Sequence, residues 1–171
     1  RAVSGTLWIY VKKATVGGHG TDTGWSDSYA TGQAEINGTL VVLYSYVDID
    51  GVTGSDNSGH GIKVYYSGCD SVWDGKSVVT LGQGADSIHL RHMEIEGCGY
   101  GTYDSTDGLY HQSLSSNPST DIQISYCWIH GVSRNGVTLG NHRGTDFTDR
   151  NMGFLFENNR LERTGGCYRG V

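Results

Sequence analysis

At 171 residues, with 27 Gly, a single Pro and 11 Tyr, the chain has the length of one domain and the composition of strands and tight turns. Its formal net charge of −6, without any basic run, argues against nucleic acid as a partner. No stretch reaches the roughly 18 uncharged apolar residues that a membrane helix needs, so insertion into a bilayer by a helix is not expected.

Residues 1–35 read as a strand, GTLWIYVKK, followed by a loop that carries HGTDTGW and GQA. No Met precedes them and no signal peptide is legible, which suggests a processed, excised or partial chain. From residue 36 a repeat begins. VLYSYVDIDG (42–51), IHLRHMEIEG (88–97), IQISYCWIHG (122–131) and FLFENNRLER (154–163) superpose without a gap. Apolar residues fall at positions one, three and eight of each, and position six is a further inward candidate. That alternation predicts a long strand in every case.

A second strand is expected at each Gly-led group: SGHGIKVYY (58–66), STDGLYHQS (105–113), SRNGVTLGN (133–141) and the truncated YRGV (168–171). KSVVTLGQG (76–84) reads as an additional short strand inside the first coil. Similar strands recurring a full repeat apart, with no helical periodicity, predict parallel stacking of like on like. A sandwich would place hairpin turns between neighbouring strands instead. The expectation is an all-β solenoid of about four coils in one domain, 1–171. Its core is a stack of Ile49, Ile95, Ile129 and Leu161, beside a second of Val47, Met93, Cys127 and Asn159. Val171 falls where the next strand should start, and no amphipathic cap precedes GTLWIYVKK. The solenoid is therefore expected to be incomplete at both ends, either a fragment or a subunit that stacks on itself.

Stacked coils separate equivalent residues by roughly 4.8 Å, so each outward position becomes a column on the surface. Position two gives Leu43, His89, Gln123 and Leu155; position four gives Ser45, Arg91, Ser125 and Glu157. Position seven gives Asp48, Glu94, Trp128 and Arg160, and position nine gives Asp50, Glu96, His130 and Glu162. On this register Asp48, Asp50, Glu94 and Glu96 share one patch. Like charges so placed either spread into solvent or hold a cation, for which hard oxygen ligands favour Ca²⁺. Trp128, between Glu94 and Arg160 and beside His130, is a candidate platform for a sugar ring; otherwise it lies under a loop such as NHRGTDFTDRNMG (141–153). Cys69, Cys98, Cys127 and Cys167 form no Cys-x-x-Cys pair. Their even number leans towards an extracellular protein with one of three pairings, and buried thiols are the alternative.

The coil pattern across 36–171 resembles the right-handed parallel β-helix superfamily, the pectate-lyase-like proteins. HGTDTGW…GQA followed by YVDIDGVTG is similar to stretches of secreted, environmentally derived β-helix proteins. The resemblance implies right-handed winding, an extracellular or cell-surface location, polysaccharide as partner, and Ca²⁺ as the ion that holds an acidic glycan. STDG resembles the Asn-Thr-Asp motif of polygalacturonases in this superfamily. That nominates Asp107 as an acid, with Asp104 the only nearby second carboxylate. The chain has no Asp-Asp pair, Asn135 stands at the matching place, and GHG (59–61) precedes STDG rather than following it. Asp107 therefore reads better as a turn residue before a Gly.

Lyases of this fold need a base beside a neutralised uronate. Arg91, His89 and Lys63 are candidates, with Arg134, His130 and Arg143, and no spacing selects one. His111, in the column of Val64 and Leu139, is expected to be a core histidine. Three functions follow. The first is an extracellular module of a larger protein that contacts polysaccharide through an outer sheet face. The second is a Ca²⁺-assisted polysaccharide lyase or glycoside hydrolase, and the third a structural subunit of an extracellular fibre or spike.

Overall fold

The computed structural model describes residues 7–53, 58–67, 77–99, 106–111, 119–139 and 153–164. Within them the chain climbs in rungs. The first rung is β1 (Ile9–Lys12), β2 (Ala34–Asn37) and β3 (Leu40–Val42). The second is β4 (Val47–Asp50), β5 (Ile62–Tyr65) and β6 (Ser77–Leu81). The third is β7 (Ile88–Arg91), β8 (Met93–Glu96) and β9 (Asp107–His111). The fourth is β10 (Ile122–Ser125), β11 (Trp128–Val132) and β12 (Val137–Leu139), and β13 (Phe154–Glu157) and β14 (Arg160–Thr164) begin a fifth. Each rung contributes one strand to each of three sheets, ordered β1-β4-β7-β10-β13, β2-β5-β8-β11-β14 and β3-β6-β9-β12. Every pairing between these strands is parallel. The protein is a parallel β-helix.

The alternating pattern explains the core. In the second sheet Val64, Ile95 and Ile129 are in register and fully buried. In the first sheet Ile88 pairs with Ile122 and Leu90 with Ile124, all four without exposed surface. Burying a side chain of this size contributes about 1.5–3 kcal/mol. Identical positions stacked one strand apart leave no gap between the layers. His111 is a large polar side chain in that interior: it is fully buried, between Leu81 and Leu139 in the third sheet, with Nδ1 3.4 Å from the Leu81 carbonyl.

Each expected long strand is in fact two strands meeting at a corner. The corner residues His92, Tyr126 and Asn158 have φ of 50°, 55° and 54°, a left-handed conformation that side chains rarely adopt. The residues before the first-sheet strands, Tyr46, Ser87 and Asp121, repeat it with φ of 63°, 52° and 53°. Bonds between rungs hold these turns, as from the Val47 amide to the Ser87 carbonyl (3.1 Å) and from the His92 amide to the Ser125 carbonyl (3.3 Å). Period-two alternation runs straight through such a corner and cannot see it.

That blindness misplaced one coil. For 88–97, 122–131 and 154–163 the expected register holds, with Ile88 opposite Ile122 and Ile122 opposite Phe154. In the first coil the residue opposite Ile88 is Val47, not Val42, which ends β3 in the rung below. Ile49 accordingly stacks on Leu90 rather than Ile95, and Val47 on Ile88 rather than Met93. SGHGIKVYY supplies the second-sheet strand β5, which starts only at Ile62 after β4 ends at Asp50, while KSVVTLGQG supplies the regular third-sheet strand β6. Residues 1–35 also do more than lead in. β1 is a full member of the first sheet, and the loop from Ala14 to Gln33 folds back with a short 3-10 helix, Asp27–Ala30.

Candidate functional site

With the register corrected, the outward face of the second sheet carries two columns. One runs Glu35, Lys63, Glu94, Trp128, Arg160; the other runs Asn37, Tyr65, Glu96, His130, Glu162. Lys63, one rung before the two central glutamates, bridges them: its Nζ lies 3.0 Å from Glu94 Oε1 and 2.5 Å from Glu96 Oε2. His130 Nε2 meets Glu94 Oε1 at 3.1 Å, and Gln33 Nε2 donates to Glu94 Oε2 at 2.6 Å and to the His60 carbonyl at 2.7 Å.

Glu94 is buried under these partners. Burial alone would raise its pKa, but hydrogen bonds from Gln33, Lys63 and His130 outweigh it and hold the carboxyl below its ordinary value. For Lys63 burial works to lower the pKa, and the bonds to Glu96 and Glu94 win, raising it. The pair is a locked ion pair.

Trp128 is the centre of an aromatic and cationic group. His130 stacks on its ring at 3.9 Å, the Arg160 guanidinium lies 5.1 Å from the ring centroid, and the His60 ring approaches to 6.3 Å. Burial holds His60 below the ordinary histidine value. The contact to Trp128 from the segment before β5 is thus made by His60; most of 141–153 lies outside the described residues. Beside Glu96 and His130 opens a cleft of about 430 Å³, also lined by Cys98 and Arg163.

The expected four-carboxylate patch is divided. Asp48 and Asp50 belong to the first sheet, opposite His89 and Arg91, because the first coil is displaced. Each is already engaged. Arg91 Nη2 forks onto Asp48 at 2.9 and 2.7 Å, and Asp50 Oδ1 takes His92 Nδ1 at 2.9 Å. Glu94, Glu96 and His130 do present ligand atoms within 4.8 Å of one another. Two carboxylates and an imidazole fall short of the six to eight oxygens that Ca²⁺ takes. Moreover, the Lys63 ammonium bonds to both carboxylates.

The proposed bases are scattered. His89 sits on the first sheet, with Nε2 3.2 Å from Asp121 Oδ1 and its ring 4.7 Å from Trp8. Arg91 is on the same sheet and Lys63 on the second. Asp107 opens β9 on the third sheet, with no exposed surface. Its oxygens accept from Arg134 Nε (2.7 Å), Arg134 Nη2 (2.5 Å), the Asn135 amide and side chain (3.1 Å each) and Thr138 Oγ1 (3.1 Å). A carboxylate so enclosed anchors the turn into the next rung and offers nothing to a substrate. Asp104 and Arg143 lie outside the described residues, as do Cys69 and Cys167. Cys127 is a buried thiol, its pKa pushed up to about 12 by burial, with Sγ 3.4 Å from the Ser125 carbonyl.

Sequence reading missed Gln33, Tyr65 and the covering role of His60. Gln33 lies 61 positions before the Glu94 it binds, in a loop without repeat character, and only the stacking of rungs brings them together. Tyr65 and Lys63 become legible once SGHGIKVYY is assigned to the second sheet. Comparison with protein families, with curated proteins and with solved structures finds no match to the chain.

Proposed function

We propose that this protein is an extracellular β-helix module, pectate-lyase-like in its right-handed winding, that contacts polysaccharide through the outer face of its second sheet. The observation that carries the reading is the paired column of Lys63, Glu94, Trp128 and Arg160 beside Tyr65, Glu96, His130 and Glu162. A flat parallel sheet presents these groups at a fixed spacing of roughly 4.8 Å along the axis, the arrangement suited to a chain of sugar rings. Trp128 and Tyr65 offer apolar ring surface to sugar C–H groups, and the ionic side chains offer hydrogen bonds to hydroxyls. Arg160, with its side chain 63 % exposed and its Nη2 2.7 Å from Glu162, is more open to a uronate carboxylate than Lys63, at 20 %. Lys63 already bonds to both Glu94 and Glu96 and offsets one of their two charges.

Calorimetry with neutral and acidic oligosaccharides tests it, with and without Ca²⁺. Trp128→Ala should weaken binding about tenfold, equal to about 1.4 kcal/mol. Affinity indifferent to both Trp128→Ala and Arg160→Met discards the face.

A second reading, an enzyme acting on acidic glycans, draws on the convergence of Glu94, Glu96 and His130 beside the cleft. It requires Lys63 to leave its glutamates when substrate arrives. Unsaturated or newly reducing ends released from uronate polymers, and lost in His130→Gln, would support it.

A further inference from the structure

At the first described rung, β1, β2 and β3, the loop from Ala14 to Gln33 folds over a cavity between itself and the core. Trp25 and Tyr29 form its inner side, and Ile36, Ile49 and Ile62 form the floor of a cavity of about 340 Å³. The volume is at the small end of ligand pockets, and the lining is apolar apart from the lysines at its rim. The loop is built to stay in place. The His19 and Trp25 rings stack at 4.1 Å, Tyr29 meets Trp25 edge-on at 5.8 Å, and Trp25 Nε1 donates to Asp27 Oδ1 at 3.0 Å.

Lys13 is the unusual member. It is 93 % buried, being 7 % exposed, and its ammonium donates to the Ala14 carbonyl (3.1 Å) and the Tyr29 carbonyl (3.0 Å), with the Ala30 carbonyl at 3.4 Å. These acceptors satisfy its hydrogen bonds but carry no net charge. Among the described residues no carboxylate lies within ion-pair distance of it. Lys12 differs: it stands on the outer face of β1, its Nζ 5.8 Å from the Tyr10 ring. Buried charge is ordinarily balanced by an opposite one. Here one buried cation borders an apolar cavity.

We propose that this cavity binds a small amphipathic anion, a carboxylate on a short apolar body. The body lies against Trp25, Ile36 and Ile49, and the carboxylate faces Lys13. The site is separate from the face of the second sheet and does not depend on the glycan reading.

Octanoate is the probe and octanol its uncharged counterpart, added to the whole chain and followed by tryptophan emission and calorimetry. Octanoate should bind saturably with one site and about tenfold more tightly than octanol. The emission change should vanish in Trp25→Phe. Lys13→Met should bring the two affinities level. Ala34→Phe, which fills the cavity from its wall, should abolish both while the protein still unfolds cooperatively. Absence of saturable binding, equal affinity for the two probes, or binding untouched by Ala34→Phe would overturn the proposal. So would a dimer that excludes octanoate and falls apart in Ala34→Phe, since the occupant would then be a second copy.

Discussion

Three side chains show how a residue's role depends on the rung and face it joins. Asp107 is the plainest case: five hydrogen bonds close around it, including a two-pronged contact from Arg134. Arg134→Met would leave that carboxylate buried without its counter-charge. The expected loss of stability is about 3–5 kcal/mol in denaturant unfolding, the range for breaking a buried pair. Ile129, without exposed surface between Ile95 and Leu161, should cost about 2–5 kcal/mol as Ile129→Ala by the same measurement. Glu94 makes the pH dependence. Its folded pKa lies below the ordinary value, so its contribution is complete above the ordinary glutamate range and disappears as pH falls through the folded value. Glu94→Gln should therefore flatten the acid limb of the stability–pH curve relative to the parent. An acid limb unchanged by that substitution would assign the pH dependence to other carboxylates.

At the scale of elements, the repeat was legible wherever each coil turned at one or two residues. Ile88, Ile122 and Phe154 were placed correctly because His92, Tyr126–Cys127 and Asn158–Asn159 are equivalent corners of equal reach. The second rung was misread because β5 starts only at Ile62 although β4 ends at Asp50, and YSYV before β4 continues the alternation across a strand boundary. The consequence reached the candidate site: Asp48 and Asp50 left it, while Lys63 and Tyr65 entered. Gly51 marks the true corner. A Cβ there would lie 2.2 Å from the His92 carbonyl oxygen and 2.8 Å from the Ile62 amide, both backbone atoms that cannot step aside. Gly51→Ala should cost about 1–3 kcal/mol or more in thermal unfolding. Gly17→Ala, where nothing lies within 4 Å, should be nearly neutral.

Across the whole molecule the three sheets share out the chemistry. The third holds structural polar groups, Asp107 and His111, inside the wall. The first carries the Asp48–Arg91 and Asp50–His92 pairs, closed upon themselves. The second combines aromatic surface, an exposed arginine and a cleft on one outward face. None of that partition follows from composition, because it depends on which rung each strand joins. It also accounts for Asp107, expected as a turn residue before a Gly and found closed inside the wall by Arg134, Asn135 and Thr138. The contact face can be mapped directly by backbone amide shifts during titration with an acidic oligosaccharide. Shifts should concentrate at Lys63, Tyr65, Glu94, Glu96, Trp128, His130 and Arg160, with the first and third sheets unaffected. Shifts centred on Asp48, His89 and Arg91, or saturation elsewhere with the second sheet silent, would contradict the assignment.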